Sequence, residues 1–248
     1  MGTRKQIAAR RWVWLAGLTF GLLLALPMGS SQAVDVESGE SVLIFVAHPD
    51  DDILMAAGVI KDLNDSGADV TVAFLTNGDR CDSPSQQVPE NYCYENNILP
   101  DDNHGYVRQD EAVVAQALLG TSESDLIFLG YPNGYLADIR YVDGPTDPLV
   151  HTETYAHRGL GSTDWHEYRT EEGEHGQYTR ADMLADIRAL IDTPWLDTYR
   201  PDHIFTHSPW DRHSDHESAY YSIVEVVSDL RDADPTYDPL IHTAIIHV

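Results

Sequence analysis

Short apolar runs that alternate with helical patterns constrain the fold of this chain more than any other feature of its sequence. Runs rich in β-branched and aromatic residues predict strands buried on both faces, at residues 42–47, 69–75, 125–129 and 202–206. Apolar residues at helical spacing predict helices at residues 53–63, 107–119, 180–191 and 216–230. This alternation indicates an α/β fold, a Rossmann-like three-layer sandwich with a mostly parallel sheet and helices on both faces.

Two long segments lack this periodicity. Residues 76–105 and 130–178 are rich in polar and turn-forming residues and are predicted to be loops, the second of which would cover the functional site. A last apolar run occupies residues 240–248, and no closing helix follows it. Residues 34–248 are expected to form one domain, and two alternatives stay open: a complete domain, or one that is incomplete at its C-terminus.

The first 33 residues have the pattern of an export signal. Positive residues precede an uncharged apolar stretch from Trp12 to Leu26, and Ser31-Gln32-Ala33 offers small residues for cleavage. The adjacent Arg10 and Arg11 are compatible with a twin-arginine signal. Because the apolar stretch is short for a membrane-spanning helix, we expect cleavage, export and no stable membrane insertion. A retained N-terminal anchor is the alternative.

The net charge of the chain limits the classes of molecule that it is expected to bind. The formal net charge is −26, and Lys5 and Lys61 are the only lysines. Such a surface repels nucleic acid and anionic lipid, so neither is an expected partner. Removal of residues 1–33 would delete four positive charges and no negative ones, leaving about −30. High Asp with almost no Lys favours adaptation to high salt, where ions screen the repulsion; an acidic protein without that adaptation is the alternative.

The two cysteines, Cys81 and Cys93, lie in one predicted loop. In an exported protein such a pair favours a local disulfide, with free thiols as the alternative. Metal ligation by this pair alone is not favoured, because no nearby His or Cys completes a tetrahedral set.

Two polar clusters follow predicted strands. AHPDDD occupies residues 47–52 after the first strand, and HSPWDRHSDH occupies residues 207–216 after the fourth. Either cluster alone could be surface histidines or the N-terminal cap of a helix. In an α/β sheet, however, ligands bind at the carboxyl ends of the strands, where both clusters lie. Together they indicate a functional site.

The residue types in these clusters suit zinc chemistry. Imidazole nitrogens and carboxylate oxygens bind Zn²⁺, and a catalytic site uses three protein ligands. A further carboxylate could act as general base. Another histidine could stabilise an oxyanion or donate a proton, with a carboxylate beside it to fix its tautomer. The two clusters contain all of these groups.

The two motifs resemble those of the PIG-L/LmbE-like zinc deacetylases, which deacetylate N-acetylglucosamine in glycoconjugates. AHPDDD at 47–52 is similar to the family's AHPDDE, and residues 207–216 are similar to HxPxDxHxDH. TNGD at 76–79 and the pair Arg108 and Glu111 lie between them, and the resemblance runs from about Val42 to Tyr220. It implies a zinc-dependent N-deacetylase with one Zn²⁺ per chain and an N-acetylated sugar or glycoconjugate as substrate.

The resemblance also implies a role for each motif residue. The implied metal ligands are His48, Asp51 and His216. Asp50 would be the general base, and His213 would stabilise the oxyanion or protonate the leaving amine. Asp215 would orient His213.

Arg108 would bind substrate in members whose substrate carries phosphate; the alternative is an ion pair with Glu111, one helical turn away. Two departures from the family pattern are Asp52 in place of Glu and Ser214 in place of Pro, neither of which removes a predicted ligand.

Three other functions remain as alternatives. A phosphoesterase or another amidase could use the same metal site, although two-metal phosphoesterases need bridging carboxylates for a second ion. A nucleotide-binding enzyme is disfavoured because HPDDD, and not a glycine-rich loop, follows the first strand. A non-catalytic exported binding module is the third.

Overall fold

A computed structural model describes residues 39–78, 104–131, 133–141, 179–192 and 200–248. They belong to one compact unit, Val36–Val248. The strands are β1 Ser41–Val46, β2 Asp69–Thr76, β3 Leu126–Tyr131, β4 His203–His207 and β5 Leu240–Ala244. The helices are α1 Asp51–Ser66, α2 His104–Leu119, α3 Leu136–Arg140, α4 Arg180–Asp192 and α5 Ser214–Ala233, with a 3₁₀ turn at Glu123–Asp125.

The strands form a five-stranded sheet in the order β3-β2-β1-β4-β5. Every pair of neighbouring strands is parallel. The order reverses between β1 and β4, which are joined in the register Val42↔His203 to Ile44↔Phe205. A reversal of this kind leaves a crevice at the carboxyl ends of the two strands, where ligands bind in open α/β sheets.

Alternate residues of β1 face the two sides of the sheet. Val42 and Ile44 pack in a cluster with α1 and α2, whereas Leu43 and Phe45 pack in a cluster with α3, α4 and α5. Both sets are fully buried, which explains why the strand sequences are continuously apolar. The α/β fold with helices on both faces of a parallel sheet is thereby confirmed.

The predicted elements agree with the structure to within a few residues, apart from two differences. Helix α3 was not predicted, because its five residues, LADIR, are too few to establish a helical period. The last apolar run occupies 240–248, but only its first five residues form strand β5, which ends at Ala244. The backbone N–H groups of Ile246 and His247 leave the sheet pattern and bond instead to the Asp211 carboxylate, at 2.8 and 3.2 Å.

Several predictions lie outside the described residues. These are the export signal at 1–33, the cysteine pair, and most of the two predicted loops. Within the described ranges, no helix is both long and apolar enough to cross a membrane.

Candidate metal and catalytic site

The site lies where the sheet order reverses. The turn after β1 carries His48 and Asp50 into α1, and the turn after β4 carries the second motif into α5. The two turns are tied together, because the backbone N–H of Ala47 donates to Nε2 of His207 at 3.0 Å. The backbone N–H of Thr76 donates to the carbonyl of Ala47 at 2.9 Å. The pairing of neighbouring parallel strands thus brings the two sequence motifs to one place.

The three predicted metal ligands meet in a compact triangle. Nδ1 of His48 lies 3.0 Å from Oδ2 of Asp51. Nε2 of His216 lies 3.2 Å from that oxygen and 3.3 Å from Nδ1 of His48. Tetrahedral zinc with bonds of about 2.0–2.1 Å holds its ligand atoms about 3.3 Å apart. The donor set and its spacing therefore fit a zinc ion, and all three residues are buried.

Two overlapping groups of His and Asp could hold a metal ion: His48, His213 and His216, or Asp51, His207 and His216. They share His216 and describe one site. His207 and His213 are less suited to be ligands, since each already accepts a backbone N–H, from Ala47 and from Asp215 respectively.

Charge in this cluster favours a cation. Burial alone would raise the pKa of Asp51, but the three neighbouring histidines, His207, His216 and His48, hold it far below its usual range. Burial alone would lower the pKa of His48, but its hydrogen bonds to Asp215 and Asp51 raise it to about 10. The two buried carboxylates thus keep the His48 ring in its positively charged, doubly protonated form. A metal ion would compensate the same negative charge.

Asp215 holds the ring of His48, one of the predicted metal ligands. Its Oδ2 accepts from Nε2 of His48 at 3.2 Å and from the N–H of Gly134 at 2.6 Å, and its Oδ1 accepts from the N–H of Leu136 at 3.1 Å. A carboxylate that accepts from the far nitrogen of a ligand histidine fixes the tautomer and orientation of that ring. Gly134 and Leu136, which lie after β3 at the start of α3, thus bring that part of the chain into the support of His48.

The expected contact between Asp215 and His213 differs from the structure. The His213 side chain caps α5, and its Nδ1 accepts the backbone N–H of Asp215 at 3.2 Å. The Asp215 carboxylate faces His48 and α3 instead. Burial and the nearby His48 and His216 lower the pKa of His213 to about 4.

Sequence reasoning assigned no role to two residues of the second motif. Oδ2 of Asp211 lies 3.1 Å from Nδ1 of His216, and its Oδ1 accepts the N–H of His213 at 3.0 Å. His207 is fully buried and stacks on His216, with ring centroids 3.9 Å apart. Both residues belong to the HxPxDxHxDH pattern, which was the signal available for them.

Asp50 and Arg108, predicted as base and substrate contact, lie against each other. Nη2 of Arg108 is 3.0 Å from Oδ2 of Asp50. The alternative pairing of Arg108 with Glu111 is not the one that forms, and Glu111 is exposed. Asp52, the residue that departs from the family pattern, is buried and accepts from Nε2 of Gln116 on α2. Burial raises the pKa of Asp52 to about 6.

These residues define an α/β protein with a buried His/Asp cluster that can hold a metal ion at the switch point of a parallel sheet. The PIG-L family model, described as GlcNAc-PI de-N-acetylase, matches residues 43–227, about three quarters of the chain. The chain belongs to the PIG-L family, and the resemblance drawn from the motifs is confirmed.

Several solved structures are similar to the chain. N,N'-diacetylchitobiose deacetylase from Pyrococcus horikoshii is 18% identical, with a TM-score of 0.43, covering 84% of this chain and 60% of that one. The 4-carboxy-2-hydroxymuconate hydratase from Pseudomonas putida KT2440 is 16% identical, with a TM-score of 0.45 and coverage of 83% and 64%. A deacetylase of teicoplanin biosynthesis is 18% identical, with a TM-score of 0.45 and coverage of 77% and 64%. The chain thus spans less than two thirds of the length of these structures. No curated protein matches it.

Proposed function

We propose that this protein is a zinc-dependent hydrolase that removes the acetyl group from an N-acetylated amine, with N-acetylglucosamine in a sugar or glycoconjugate as the substrate class. The observation that carries the proposal is the triangle of His48, Asp51 and His216 donor atoms, 3.0–3.3 Å apart, beside the exposed carboxylate of Asp50. Membership of the PIG-L family supports the reaction class.

The ligand set determines what the metal contributes. His48, Asp51 and His216 would hold one zinc ion, and zinc bound there supplies Lewis acidity that polarises the amide carbonyl and the attacking water. Asp215 holds the ring of His48, and Asp211 lies against the ring of His216. These two carboxylates keep the ligand nitrogens aimed at a common point.

Asp50 carries the proton transfers in this proposal. Its carboxylate is 58% exposed and lies two residues after the predicted ligand His48, so it is available to a water that attacks the amide carbon. It takes the proton of that water while the C–O bond forms, and it returns the proton to nitrogen as the C–N bond breaks. Acetate and the free amine are the products, and general acid–base catalysis of this kind contributes about 10²–10⁴-fold.

His213 suits the role of a neutral donor. Its Nδ1 accepts the N–H of Asp215, which leaves the hydrogen of the neutral ring on Nε2. With its pKa lowered to about 4 by burial and the neighbouring histidines, the ring is neutral at physiological pH. A neutral Nε2–H can donate to the developing oxyanion. Of the two roles implied for His213, this geometry supports the oxyanion contact.

An amine-release assay tests the proposal. Zinc-loaded protein, at low and at molar salt, is incubated with N-acetylglucosamine, N,N'-diacetylchitobiose and N-acetylglucosaminyl inositol, and primary amine and acetate are measured. We expect equimolar release of both and one zinc per chain, with zinc lost in His216→Ala. Zinc retained by a His48→Ala/His216→Ala double variant would contradict the ligand assignment. No release from any of the three substrates would contradict the reaction.

A second candidate, a phosphoesterase on the same site, differs in its metal content. The two candidate metal groups among the described residues share His216 and therefore describe one ion. A second bound equivalent of metal that accompanies phosphate-ester cleavage would favour this alternative. A protein that binds one zinc and turns over neither class of substrate would be the non-catalytic binding module.

We also propose that the protein is exported. Three features of the first 33 residues support export: the positive N-terminal residues, the apolar stretch at 12–26 and the Ser31-Gln32-Ala33 site. The acidic composition is also consistent with a high-salt environment outside the cell. N-terminal sequencing of protein from the culture medium or cell surface is expected to begin at Val34. An intact Met1 terminus in the membrane fraction would identify a retained anchor.

A further inference from the structure

We propose that Arg108 is a positioning residue that holds the carboxylate of Asp50 in place, and not a contact to substrate. The inference rests on the proposed function, in which Asp50 is the general base. It concerns the one charged side chain, among the described residues, that forms an ion pair with Asp50.

Asp50 is not held by the helix it precedes. It is the N-cap residue of α1, but its side chain makes no capping hydrogen bond. More than half of its side chain is exposed. A carboxylate in this situation rotates between staggered conformers unless another group fixes it. The general base would then spend part of its time away from the attacking water.

Arg108 supplies that fixation from α2. Its Nη2 lies 3.0 Å from Oδ2 of Asp50 and donates to the carbonyl of Pro49 at 2.6 Å. Its Nη1 donates to the carbonyl of Gly78 at 3.2 Å. The same guanidinium therefore holds the backbone immediately before Asp50 and the carboxylate of Asp50 itself. Only a fifth of the Arg108 side chain is exposed.

Gly78, in the turn after β2, makes room for this guanidinium. A Cβ at that position would lie 2.6 Å from Nη1 and 2.8 Å from Cζ of Arg108. Gly78 also has a φ of +63°, which side-chain-bearing residues rarely adopt. Gly78 thus fits against the arginine, and the arginine links the residues that follow β1 and β2.

The contacts with Asp50, Pro49 and Gly78 engage three of the five N–H groups of Arg108. Because Nη2 faces both the Asp50 carboxylate and the Pro49 carbonyl, a phosphate that bound at Nη2 would compete with Asp50. The two roles predict different kinetics. Loss of a substrate contact raises KM, whereas misplacement of the base lowers kcat.

The first experiment measures kcat and KM of Arg108→Met and Arg108→Lys with N-acetylglucosamine, which carries no charge. We expect kcat of Arg108→Met to fall about 10–100-fold, the effect of misplacing a catalytic group by about 1 Å, with KM changed by less than about threefold. Arg108→Lys keeps the charge near Asp50 but loses the planar fork, so it is expected to recover part of the loss. Glu111→Gln, an exposed change on the same helix, is the matched control and is expected to match wild type.

A double-variant comparison tests whether Arg108 acts through Asp50. In an Asp50→Asn background, Arg108→Met is expected to lower kcat by less than about twofold, because the group it positions is already lost. A further tenfold loss there would overturn the inference. So would an unchanged kcat in Arg108→Met alone, because N-acetylglucosamine has no phosphate for Arg108 to bind and only misplacement of Asp50 would slow its turnover.

A structural comparison separates failure of the inference from failure of the proposed function. Wild-type protein that releases no amine contradicts the function, and crystal structures of zinc-loaded wild type and Arg108→Met then decide the inference alone. Displacement of the Asp50 carboxylate in the variant, with His48 and His216 unmoved, is expected. An Asp50 that keeps its place without Arg108 overturns the inference, and Arg108→Lys serves for the same comparison if Arg108→Met does not fold.

Discussion

Replacement of Asp215 by Asn tests whether the Asp215 carboxylate holds His48 in the proposed metal site. Asp215 is fully buried. Burial alone would raise the pKa of Asp215, but hydrogen bonding to His48 lowers it, so the group is a charged acceptor. One oxygen accepts from Leu136 N–H, and the other accepts from Gly134 N–H and from His48. All three partners are donors, which is the feature that Asn cannot match.

The magnitude follows from counting these donors. The Asn amide has one oxygen and one NH₂, so in either orientation its NH₂ faces a backbone N–H. The change removes one hydrogen bond to a charged acceptor, worth about 1.5–3 kcal/mol, and leaves a buried donor unsatisfied at about 1–3 kcal/mol. The free energy of unfolding should therefore fall by roughly 2.5–6 kcal/mol, a large share of the about 5–15 kcal/mol of a typical domain. The weaker hold on His48 should lower zinc affinity about 10–100-fold.

Two measurements check this prediction. Urea unfolding of the metal-free Asp215→Asn protein gives the loss of stability, and competition with a chromophoric chelator gives the loss of zinc affinity. Asp229→Asn is the control, because Asp229 is an exposed carboxylate on the same helix. If Asp215→Asn unfolds within about 1 kcal/mol of wild type and binds zinc within twofold, then Asp215 does not support His48 and the reasoning is refuted.

Three further predictions concern the base, the surface and the sheet edge. Asp50→Asn should keep its zinc, because Asp50 is not a ligand, yet lose about 10²–10⁴-fold in activity; near-normal turnover by the metal-loaded variant would exclude Asp50 as base. The thermal midpoint should rise steadily from low to molar NaCl, because screening relieves the repulsion of a chain with net charge −26; a flat or falling midpoint would leave that acidity unexplained. Burial and the neighbouring His203, whose Nδ1 is 2.9 Å from Nε2 of His242, lower the pKa of His242. The unfolded chain therefore binds more protons than the folded one as the pH falls below about 6.5, so the stability of the folded protein falls with pH. Between pH 7.5 and 5, His242→Gln should lose less thermal stability than wild type. An equal loss in both proteins would show that His242 is not a cause of the pH dependence.

Strands β1 to β4 were predictable because nearly all of their residues are buried. Val42 to Val46 are buried on both faces of a parallel sheet, so every position is apolar and the run has clear ends. The position of the two motifs followed from the same fact, since strand ends in an α/β fold mark the edge where ligands bind. Proximity of His48 and His216 needed only that β1 and β4 be neighbours.

The partners of the site carboxylates were not predictable from sequence distance. Asp215 is two positions from His213, which suggested a pair, but the helix cap directs the His213 ring to the backbone N–H of Asp215. The carboxylate then faces Gly134, which lies 81 positions away in the chain. Contacts of this kind depend on where a turn after another strand passes, and no local pattern encodes that.

The partner of Arg108 was likewise not predictable from distance in the sequence. A helical spacing of three residues from Glu111 made a local ion pair the simplest alternative. The structure turns the arginine toward Asp50 and the carbonyl of Gly78, both from segments earlier in the chain. Gly78 belongs to the TNGD motif, but the sequence did not show that an arginine from α2 would lie against it.

The two histidines of the proposed metal site, His48 and His216, are separated by 168 positions in the chain. This separation determines the stage of folding at which a metal ion can bind there. His48 meets His216 only after β4 has paired with β1, a contact whose long loop makes it slow to form. A metal ion at this site cannot guide early folding, but it can lock the finished sheet, adding about 4 kcal/mol at a free concentration 1,000 times the dissociation constant. A precursor that crosses a membrane unfolded would therefore take its metal from the far side. A precursor that crosses folded, as a twin-arginine signal would direct, would already carry metal acquired inside the cell.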